Sequence, residues 1–238
     1  MERLDKILAA TGRWSRKEVK ELVRQGRVTA CGRAVLRPEE KYEPTDDILV
    51  DGKNVRCERF TYIMLHKPGG LLSATEDKHQ RTVLDLLPEH YRKQGLFPVG
   101  RLDKDTEGLL LLTNDGELAH RLLAPKSHVD KVYFARIEGR VDGQDVQAFR
   151  QGITLGDGLE CLPAQLRPLE DGSACLVTLQ EGKFHQVKRM LAHCGKPVVY
   201  LKRLSMGSLK LDHSLPEGGW RELTQAELTG LRKDVGEG

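Results

Sequence analysis

One stretch of the 238-residue chain, residues 100–116, joins a cluster of acidic side chains to a strongly apolar run. It opens Gly-Arg-Leu-Asp, so that Asp103 lies in a polar loop close to Asp105 and Glu107. Four leucines follow, and a buried strand of that composition would hold the loop rigidly, as an active site requires. A carboxylate held in this way can stabilise or trap an electron-poor carbon. Spacing alone, however, favours a plainer interpretation, which is a charged turn before a core strand.

Positive charge is concentrated in two segments, although the whole chain has a net charge of only +3. Residues 1–37 contain ten Lys or Arg and four acidic residues, and residues 183–210 contain seven Lys or Arg and no acid. This distribution indicates a polyanion that is contacted at particular surfaces. For either segment alone, a solvated helix face is an equally good explanation.

Hydrophobic periodicity and turn residues predict helices and strands in irregular order. Two short helices are predicted within residues 1–26, the second beginning with a capping box formed by Ser15 and Glu18. Strands are predicted at residues 28–30, 34–36, 46–52, 62–66, 131–137 and 174–179, and further helices at residues 82–87 and 186–193. The absence of a regular strand–helix alternation predicts an α+β fold with a mixed, largely antiparallel sheet and flanking helices.

Composition gives an expectation for the compartment. The sequence has no apolar run near the roughly 18 residues that a membrane span needs, and its first residues lack the apolar stretch of a signal peptide. We therefore expect a cytoplasmic protein. The five scattered cysteines, none in Cys-x-x-Cys spacing, argue against a disulfide framework and against a zinc site.

Residues 100–116 read Gly-Arg-Leu-Asp-x-x-Thr-x-Gly-Leu-Leu-Leu-Leu-Thr-Asn-Asp-Gly, which resembles the signature loop of the RsuA-type family of pseudouridine synthases. Residues 65–73, 131–133 and 181–190 resemble three other motifs of that family, in the same order. Arg3-Leu4-Asp5-Lys6, Ser15-Arg16, Gly26-Arg27-Val28 and Gly32 resemble the S4 RNA-binding module. The resemblance covers nearly the whole chain. It implies an S4-like RNA-binding domain at residues 1–58 and a pseudouridine synthase catalytic domain at residues 59–238, with a linker at residues 56–61.

The resemblance also implies a role for individual side chains. Asp103 would be the catalytic aspartate, Tyr133 would stack on the target base, and Lys188 would pair with the aspartate. Arg101 would help to hold the flipped-out nucleotide, and Leu201 would pack near the base. In the S4-like domain, the residues expected to contact RNA phosphates are Arg3, Lys6, Arg16, Lys17, Lys20 and Arg27.

The implied reaction suits these residue types. Pseudouridine formation breaks the N1–C1′ bond of uridine, turns the base and rejoins it through C5, so neither a cofactor nor a metal is expected. An adjacent cation would keep Asp103 ionised. The target base must leave its stack to be reached, and an aromatic face can receive it. Attack of the carboxylate on the sugar and attack on the base both remain open. Lys67, followed by Pro68, is interpreted as structural, shaping the floor near Tyr133.

The substrate and the alternatives follow from the same motifs. Residues 183–190 resemble small-subunit members of the family more than large-subunit members, which implies uridine-516 of 16S rRNA as the target, with 23S rRNA as the alternative. We expect ribosomal RNA as the partner, within a small-subunit assembly particle, no membrane partner and a monomeric chain. Two other classes remain: a hydrolytic glycosidase with Asp105 or Glu107 as its second carboxylate, and a non-catalytic RNA-binding protein.

Overall fold

The computed structural model describes residues 1–55, 57, 60–169 and 171–236. They form two compact units, one made of Met1–Thr61 and Leu84–Leu96, the other of Tyr62–Val83 and Phe97–Gly238. The predicted linker at residues 56–61 includes Arg56, Glu58 and Arg59, which lie outside the described residues. The predicted domain boundary after residue 58 stays a prediction. None of the described helices is both long and apolar enough to cross a membrane.

The first unit packs two short helices and a small antiparallel sheet around one apolar core. Its sheet has the strand order β3-β2-β5-β6, and β1 pairs separately with β4. The elements are β1 (Glu2–Arg3), α1 (Leu4–Ala10), α2 (Arg16–Arg24), β2 (Val28–Ala30), β3 (Arg33–Ala34), β4 (Lys41–Tyr42), β5 (Ile48–Val50), β6 (Lys53–Asn54) and α3 (Glu89–Arg92).

Two local predictions for this unit have different outcomes. The capping box is confirmed, because the Ser15 hydroxyl accepts from the amide of Glu18 at 3.2 Å and the Ser15 amide donates to the Glu18 carboxylate at 2.6 Å. The strand predicted at residues 34–36 instead occupies Arg33–Ala34. Cys31 and Gly32 both have positive φ, 49° and 74°, and this conformation makes the tight two-residue turn that pairs Ala30 with Arg33.

The second unit is built on a nine-stranded sheet. Its nine strands are β7 (Tyr62–Lys67), β8 (Phe97–Pro98), β9 (Glu107–Thr113), β10 (Lys131–Ile137), β13 (Gln165–Leu169), β14 (Ala174–Leu179), β15 (Val198–Met206), β16 (Leu209–Lys210) and β17 (Trp220–Glu222). They are arranged in the order β13-β14-β10-β15-β9-β7-β17, with β16 paired to β15 and β8 paired to β9. Among the described residues, every pairing in this sheet is antiparallel except that of β15 with β9. The strands β11 (Ile153–Thr154) and β12 (Glu160–Cys161) form a separate two-stranded sheet. The helices are α4 (Gly116–Leu123), α5 (Gly143–Gln151), α6 (Gln186–His193) and α7 (Gln225–Asp234).

The predicted α+β class and mixed, largely antiparallel sheet are confirmed. The predicted strands at residues 131–137 and 174–179 and the predicted helix at residues 186–193 have the predicted ends. The segment predicted as a helix at residues 82–87 forms only a 3₁₀ turn, Val83–Leu86. Pro88 follows it closely and disfavours the helical conformation of the residue before it.

One face of the sheet explains how separated residues come together. Tyr133 is paired with Arg203, and Ala135 with Leu201, across the β10–β15 ladder. Side chains two residues apart on a strand point to the same face, so Tyr133 and Leu201 are diagonal neighbours. Helix α6 packs on this face through Val187, Met190 and Leu191, which share a core cluster with Leu201.

The parallel pairing of β9 with β15 depends on Gly108. This residue has a φ of 102°, and a Cβ added to it would lie 2.2 Å from the carbonyl oxygen of Arg203 and 2.7 Å from its amide nitrogen. Both of these are backbone atoms of the neighbouring strand, which cannot rotate away as a side chain can. Glycine is therefore required for β15, which carries Leu201, to approach the start of β9.

The loop before β9 is held by a buried lysine. Lys67, at the end of β7, is fully buried, and its ammonium group donates to the carbonyls of Pro68 at 3.0 Å, Lys104 at 3.1 Å and Thr106 at 2.9 Å. Two of these carbonyls belong to the loop of residues 100–106, called the Asp103 loop below. Burial lowers the pKa of Lys67 to about 8, against the opposing effect of Asp105, Glu107 and Asp103. The predicted structural role of Lys67 thus takes the form of a direct hold on the loop.

Gly108→Ala tests the close approach of the two strands. We expect it to lower the free energy of unfolding by about 3 kcal/mol or more, since backbone strain and overpacking each cost about 1–3 kcal/mol. Gly158→Ala is the matched control, because Gly158 also has positive φ, 81°, but open space around its added Cβ. It should cost about 1–2 kcal/mol. Urea unfolding followed by circular dichroism measures both, and equal losses would contradict the role given to Gly108.

Lys67→Met tests how much the hydrogen bonds of Lys67 to the Asp103 loop contribute to stability. The substitution keeps an apolar chain of similar length and removes all three donors, so we expect the free energy of unfolding at pH 7 to fall by about 2–3 kcal/mol. Lys104→Met, which changes an exposed lysine bonded to Gln80, is the control and should change it by less than about 0.5 kcal/mol.

The pH dependence of the Lys67→Met difference has a defined sign. Between pH 8 and pH 10.5 the unfolded chain keeps the Lys67 proton while the folded chain loses it, so the unfolded state binds more protons. The stability of the wild type relative to Lys67→Met should therefore rise with pH across this window and stay level below it. A difference that falls between pH 8 and pH 10.5 would contradict the lowered pKa.

Candidate active site

A pocket opens in the second unit where three segments meet. The first is the Asp103 loop, the second is the sheet face formed by β10, β14 and β15, and the third is the turn that leads into α6. The lining residues are Arg101, Leu102, Asp103, Thr106, Tyr133, Leu179, Glu181, Gly182, Lys183, His185, Gln186, Val187 and Leu201. Four of the five residues predicted for catalysis or substrate binding are among them, and Lys188, the fifth, contacts Asp103.

Asp103 lies at the wall of this pocket with 23% of its side chain exposed. One carboxylate oxygen is 3.2 Å from the ammonium nitrogen of Lys188, and the other is 3.4 Å from Nε2 of His185. Asp103 is thus contacted by two side chains on one side and open to the pocket on the other.

Lys188 is shared between two carboxylates. Its ammonium nitrogen is 2.5 Å from Asp105 and 3.2 Å from Asp103. The hydrogen bond from Lys188 lowers the pKa of Asp105 below its usual value, against a smaller effect of burial. Asp105 is 75% exposed, so the pocket carboxylate is Asp103 and the second acid holds Lys188 from the solvent side.

The turn before α6 is fixed by a buried polar pair. The side-chain amide of Gln186 donates to the Glu181 carboxylate at 2.6 Å, and the same carboxylate oxygen accepts from the amide of Leu162 at 2.9 Å. Gln186 also accepts from the amide of Lys183 at 2.9 Å. Both Glu181 and Gln186 are buried. This pair holds His185 in a left-handed conformation, with φ 50° and ψ 32°, beside Asp103.

Tyr133 presents its ring to the pocket from β10, and its hydroxyl makes no hydrogen bond to any part of the chain that the structure describes. Leu201 is buried at the same wall, two positions from the residue paired with Tyr133. Arg101 is exposed at the rim. The pocket therefore combines an ionised acid, a half-buried ring with an open hydroxyl, an apolar contact and a long, exposed cation.

The six residues predicted to contact RNA phosphates all lie in the first unit. Four are already ion-paired within it: Arg3 and Arg16 with Asp5, Lys6 with Glu2, and Arg27 with Asp51. Asp5 is fully buried, which by itself would raise its pKa, but the hydrogen bonds and charges of Arg3 and Arg16 lower the pKa below its usual value. Within the described ranges, Lys17 and Lys20 are exposed and have no ion pair.

Sequence reasoning missed three features of the site. Asp105 was expected to be a loop residue, or the second carboxylate of a glycosidase, although it binds Lys188, and no role was expected for His185 or for the Glu181–Gln186 pair. The signal for Asp105 was the crowding of charge beside Asp103, and the signal for the other two was their position in the motif of residues 181–190. Among the described residues, no group of three or more His, Cys, Asp or Glu side chains could hold a metal ion.

Comparison with known proteins agrees with this geometry. Residues 61–193 match the RNA pseudouridylate synthase family, and residues 2–48 match the S4 domain. An RNA pseudouridine synthase of Bacillus subtilis is 48% identical over 95% of this chain and 96% of its own length. The ribosomal small subunit pseudouridine synthase A of Pseudomonas aeruginosa is 42% identical over 95% of this chain and 98% of its own. The ribosomal large subunit pseudouridine synthase B of B. subtilis is 38% identical over 98% and 96%.

A solved structure gives the same result at the level of the fold. The crystal structure of a pseudouridylate synthase, 36% identical in sequence, superposes with a TM-score of 0.68 and covers 97% of this chain and 100% of its own. The family match spans more than half of the chain, and the relatives span nearly all of it. The chain therefore belongs to the RNA pseudouridine synthase family, as an isomerase that carries an S4 domain.

Proposed function

We propose that the chain isomerises one uridine of ribosomal RNA, uridine-516 of 16S rRNA, to pseudouridine, with Asp103 as the reacting carboxylate. The observation that carries this proposal is the position of Asp103, which is held by Lys188 and His185 and open to a pocket with an aromatic wall. Attack on the sugar and attack on the base both require the ionised carboxylate that this arrangement provides.

Each residue around the pocket has a separate role in the proposed reaction. Tyr133 stacks on the flipped base, and its hydroxyl, which has no partner in the described chain, is free to take part in moving the C5 proton. Leu201 packs against the base edge, Arg101 holds the nucleotide from the rim, and Lys188 keeps Asp103 charged and oriented. Lys188 acts through Asp103, so it is a positioning residue in this scheme.

The choice of 16S rRNA rests on the segment that forms the turn and the start of α6. Residues 183–190 read Lys-Phe-His-Gln-Val-Lys-Arg-Met, which resembles small-subunit members of the family more than large-subunit members. Relatives of both names, small-subunit synthase A and large-subunit synthase B, span nearly the whole chain, so 23S rRNA is the second candidate substrate. We propose that the chain acts as a monomer on RNA within a small-subunit assembly particle.

Docking of the RNA is assigned to the first unit, within the proposed RNA-binding domain of residues 1–58; residues 59–238 would form the catalytic domain. Lys17 and Lys20 are exposed and free of ion pairs among the described residues, so they can contact phosphate without giving up an ion pair within the protein. Arg3, Lys6, Arg16 and Arg27 must share or exchange an existing carboxylate partner to do the same.

Asp103→Asn and Asp105→Asn form a matched pair, because both carboxylates contact Lys188 but only Asp103 faces the pocket. The enzyme is incubated with 16S and 23S rRNA labelled with tritium at C5 of uridine, free and in ribosomal particles, and tritium release is measured. We expect Asp103→Asn to release none while still binding RNA. Asp105→Asn should stay within about fivefold of wild type, since an exposed ion pair is worth at most about 1 kcal/mol.

The same assay separates the alternatives. The wild type should release tritium from 16S rRNA and leave a pseudouridine at position 516. Release from 23S rRNA alone would move the target to the large subunit, free uracil would indicate a glycosidase, and no product from either RNA would indicate a binding protein. Tritium release by Asp103→Asn would remove the assignment of the reacting carboxylate.

The double variant Lys17→Gln/Lys20→Gln tests the docking surface. Each lost phosphate contact removes about 0.7–0.9 from the slope of log affinity against log salt, so we expect the slope to fall by about 1.4–1.8. Lys53→Gln, which neutralises an exposed lysine on β6, should leave the slope unchanged. Filter-binding titrations at several salt concentrations give the slopes, and an unaltered slope in the double variant would place the phosphate contacts elsewhere.

A further inference from the structure

Phe184 is an exposed aromatic side chain at the mouth of the pocket. Its exposure is 73%, and the other exposed large apolar residues of the described chain, Met1, Leu36, Leu123, Leu162 and Val199, are all aliphatic. The proposed chemistry uses a single flipped base inside the pocket, and Phe184 is not part of the pocket lining. An aromatic ring exposed to water beside such a pocket is a candidate contact for a ligand.

The ring of Phe184 is stacked on one side only. Its centroid lies 3.8 Å from that of His185, with an angle of 18° between the rings, and His185 lines the pocket beside Asp103. The imidazole therefore covers one face of the phenyl ring, while the high exposure leaves the opposite face open. The two rings form a short stack that leads outward from the pocket.

This stack sits on a rigid support. Residues 183–186 form the turn that the buried Glu181–Gln186 pair fixes, and the amide of Arg189 donates to the carbonyl of His185 at 2.9 Å. The positive φ of His185 is a conformation that non-glycine residues rarely adopt, and it persists only where the surroundings impose it. Phe184 is exposed because the turn holds it outward, so little conformational entropy is lost when its open face is covered.

The charge around the ring indicates what covers it. Residues 183–210 contain seven Lys or Arg and no acid. Lys183 and Arg189, on either side of the ring in sequence, are half-buried and paired with Glu181 and Asp157. A flat apolar face within a basic segment suits a base of a nucleic acid strand, whose phosphates complement the charge while its ring stacks.

We infer that the open face of Phe184 stacks on the base adjacent to the target uridine in the RNA strand. The inference rests on the proposed function, in which the neighbouring pocket receives that uridine. When the uridine leaves the RNA stack, the base next to it loses a stacking partner, and this loss opposes the flip. Phe184 replaces that partner and holds the RNA open at the pocket.

The test uses Asp103→Asn as the background, so that binding is measured without turnover, and a fragment of whichever rRNA the wild type modifies. Phe184→Leu keeps an apolar side chain and removes the ring, and it should weaken binding by about 5- to 150-fold. Phe184→Tyr keeps the ring and should bind as tightly as the background. Val199→Ala changes an exposed apolar residue away from the pocket lining and should also have no effect. Unchanged thermal midpoints show that the variants are folded.

Abasic RNA identifies the contact. One fragment lacks the base on the 5′ side of the target uridine, and another lacks the base on the 3′ side. If Phe184 stacks on one of these bases, the loss of affinity caused by Phe184→Leu disappears on one of the two fragments and persists on the other.

Two outcomes overturn the inference while the proposed function stands: wild-type tritium release with no effect of Phe184→Leu on binding, and an effect that persists on both abasic fragments. If the wild type modifies neither 16S nor 23S rRNA, the proposed function fails, and the stacking contact built on it fails as well. The tritium assay on wild type therefore distinguishes the two failures.

Discussion

The ammonium group of Lys67 is the contact on which the geometry of the site depends. It donates to the carbonyls of Lys104 and Thr106, which belong to the charged loop of residues 100–106, and to that of Pro68, and so fixes the loop to the end of a buried strand. Because β9 begins directly after this loop, the same contact sets the distance between Asp103 and the sheet. Gly108 then lets β15 approach β9, and β15 carries Leu201 and aligns Tyr133. The pocket is therefore formed mainly by the sheet, although Asp103, the proposed reacting carboxylate, lies on a loop.

Asp5 and Asp103 are each contacted by two basic side chains, but they differ in exposure. Asp5 accepts from Arg3 and Arg16 and is fully buried, so its charge stabilises the first unit and nothing else can reach it. Asp103 lies between Lys188 and His185, but it retains 23% exposure at a pocket. Access therefore distinguishes the proposed reacting carboxylate from the structural one. Asp105 completes the arrangement, because it holds Lys188 from the solvent side without entering the pocket.

The features that the sequence could predict are those whose interacting residues lie close together along the chain. The capping box at Ser15 and the helix at residues 186–193 depend on neighbours within four residues. The capping box was predicted at the correct residues, and the helix was predicted with both of its ends. The tight turn at Cys31 and Gly32 is confirmed as well, and only the strand after it differs, since it begins at Arg33 and not at Ala34. Asp103, Tyr133 and Lys188 could be proposed only through a family resemblance.

The remaining features of the site depend on residues far apart in the chain. The contacts of Lys67 with residues 37 and 39 positions away, the parallel pairing at Gly108 and the sharing of Lys188 by two acids have no signature within one segment. The same limit applies to the docking surface, where Arg27 pairs with Asp51. A count of positive residues therefore overstates the charge available to phosphate in the first unit. Four of the six predicted cations are paired with acids of their own unit, so affinity for RNA depends on how readily phosphate replaces those carboxylates. Salt weakens the internal ion pairs as well as the phosphate contacts. The affinity for RNA should therefore depend on salt less steeply than the number of lysines and arginines would suggest.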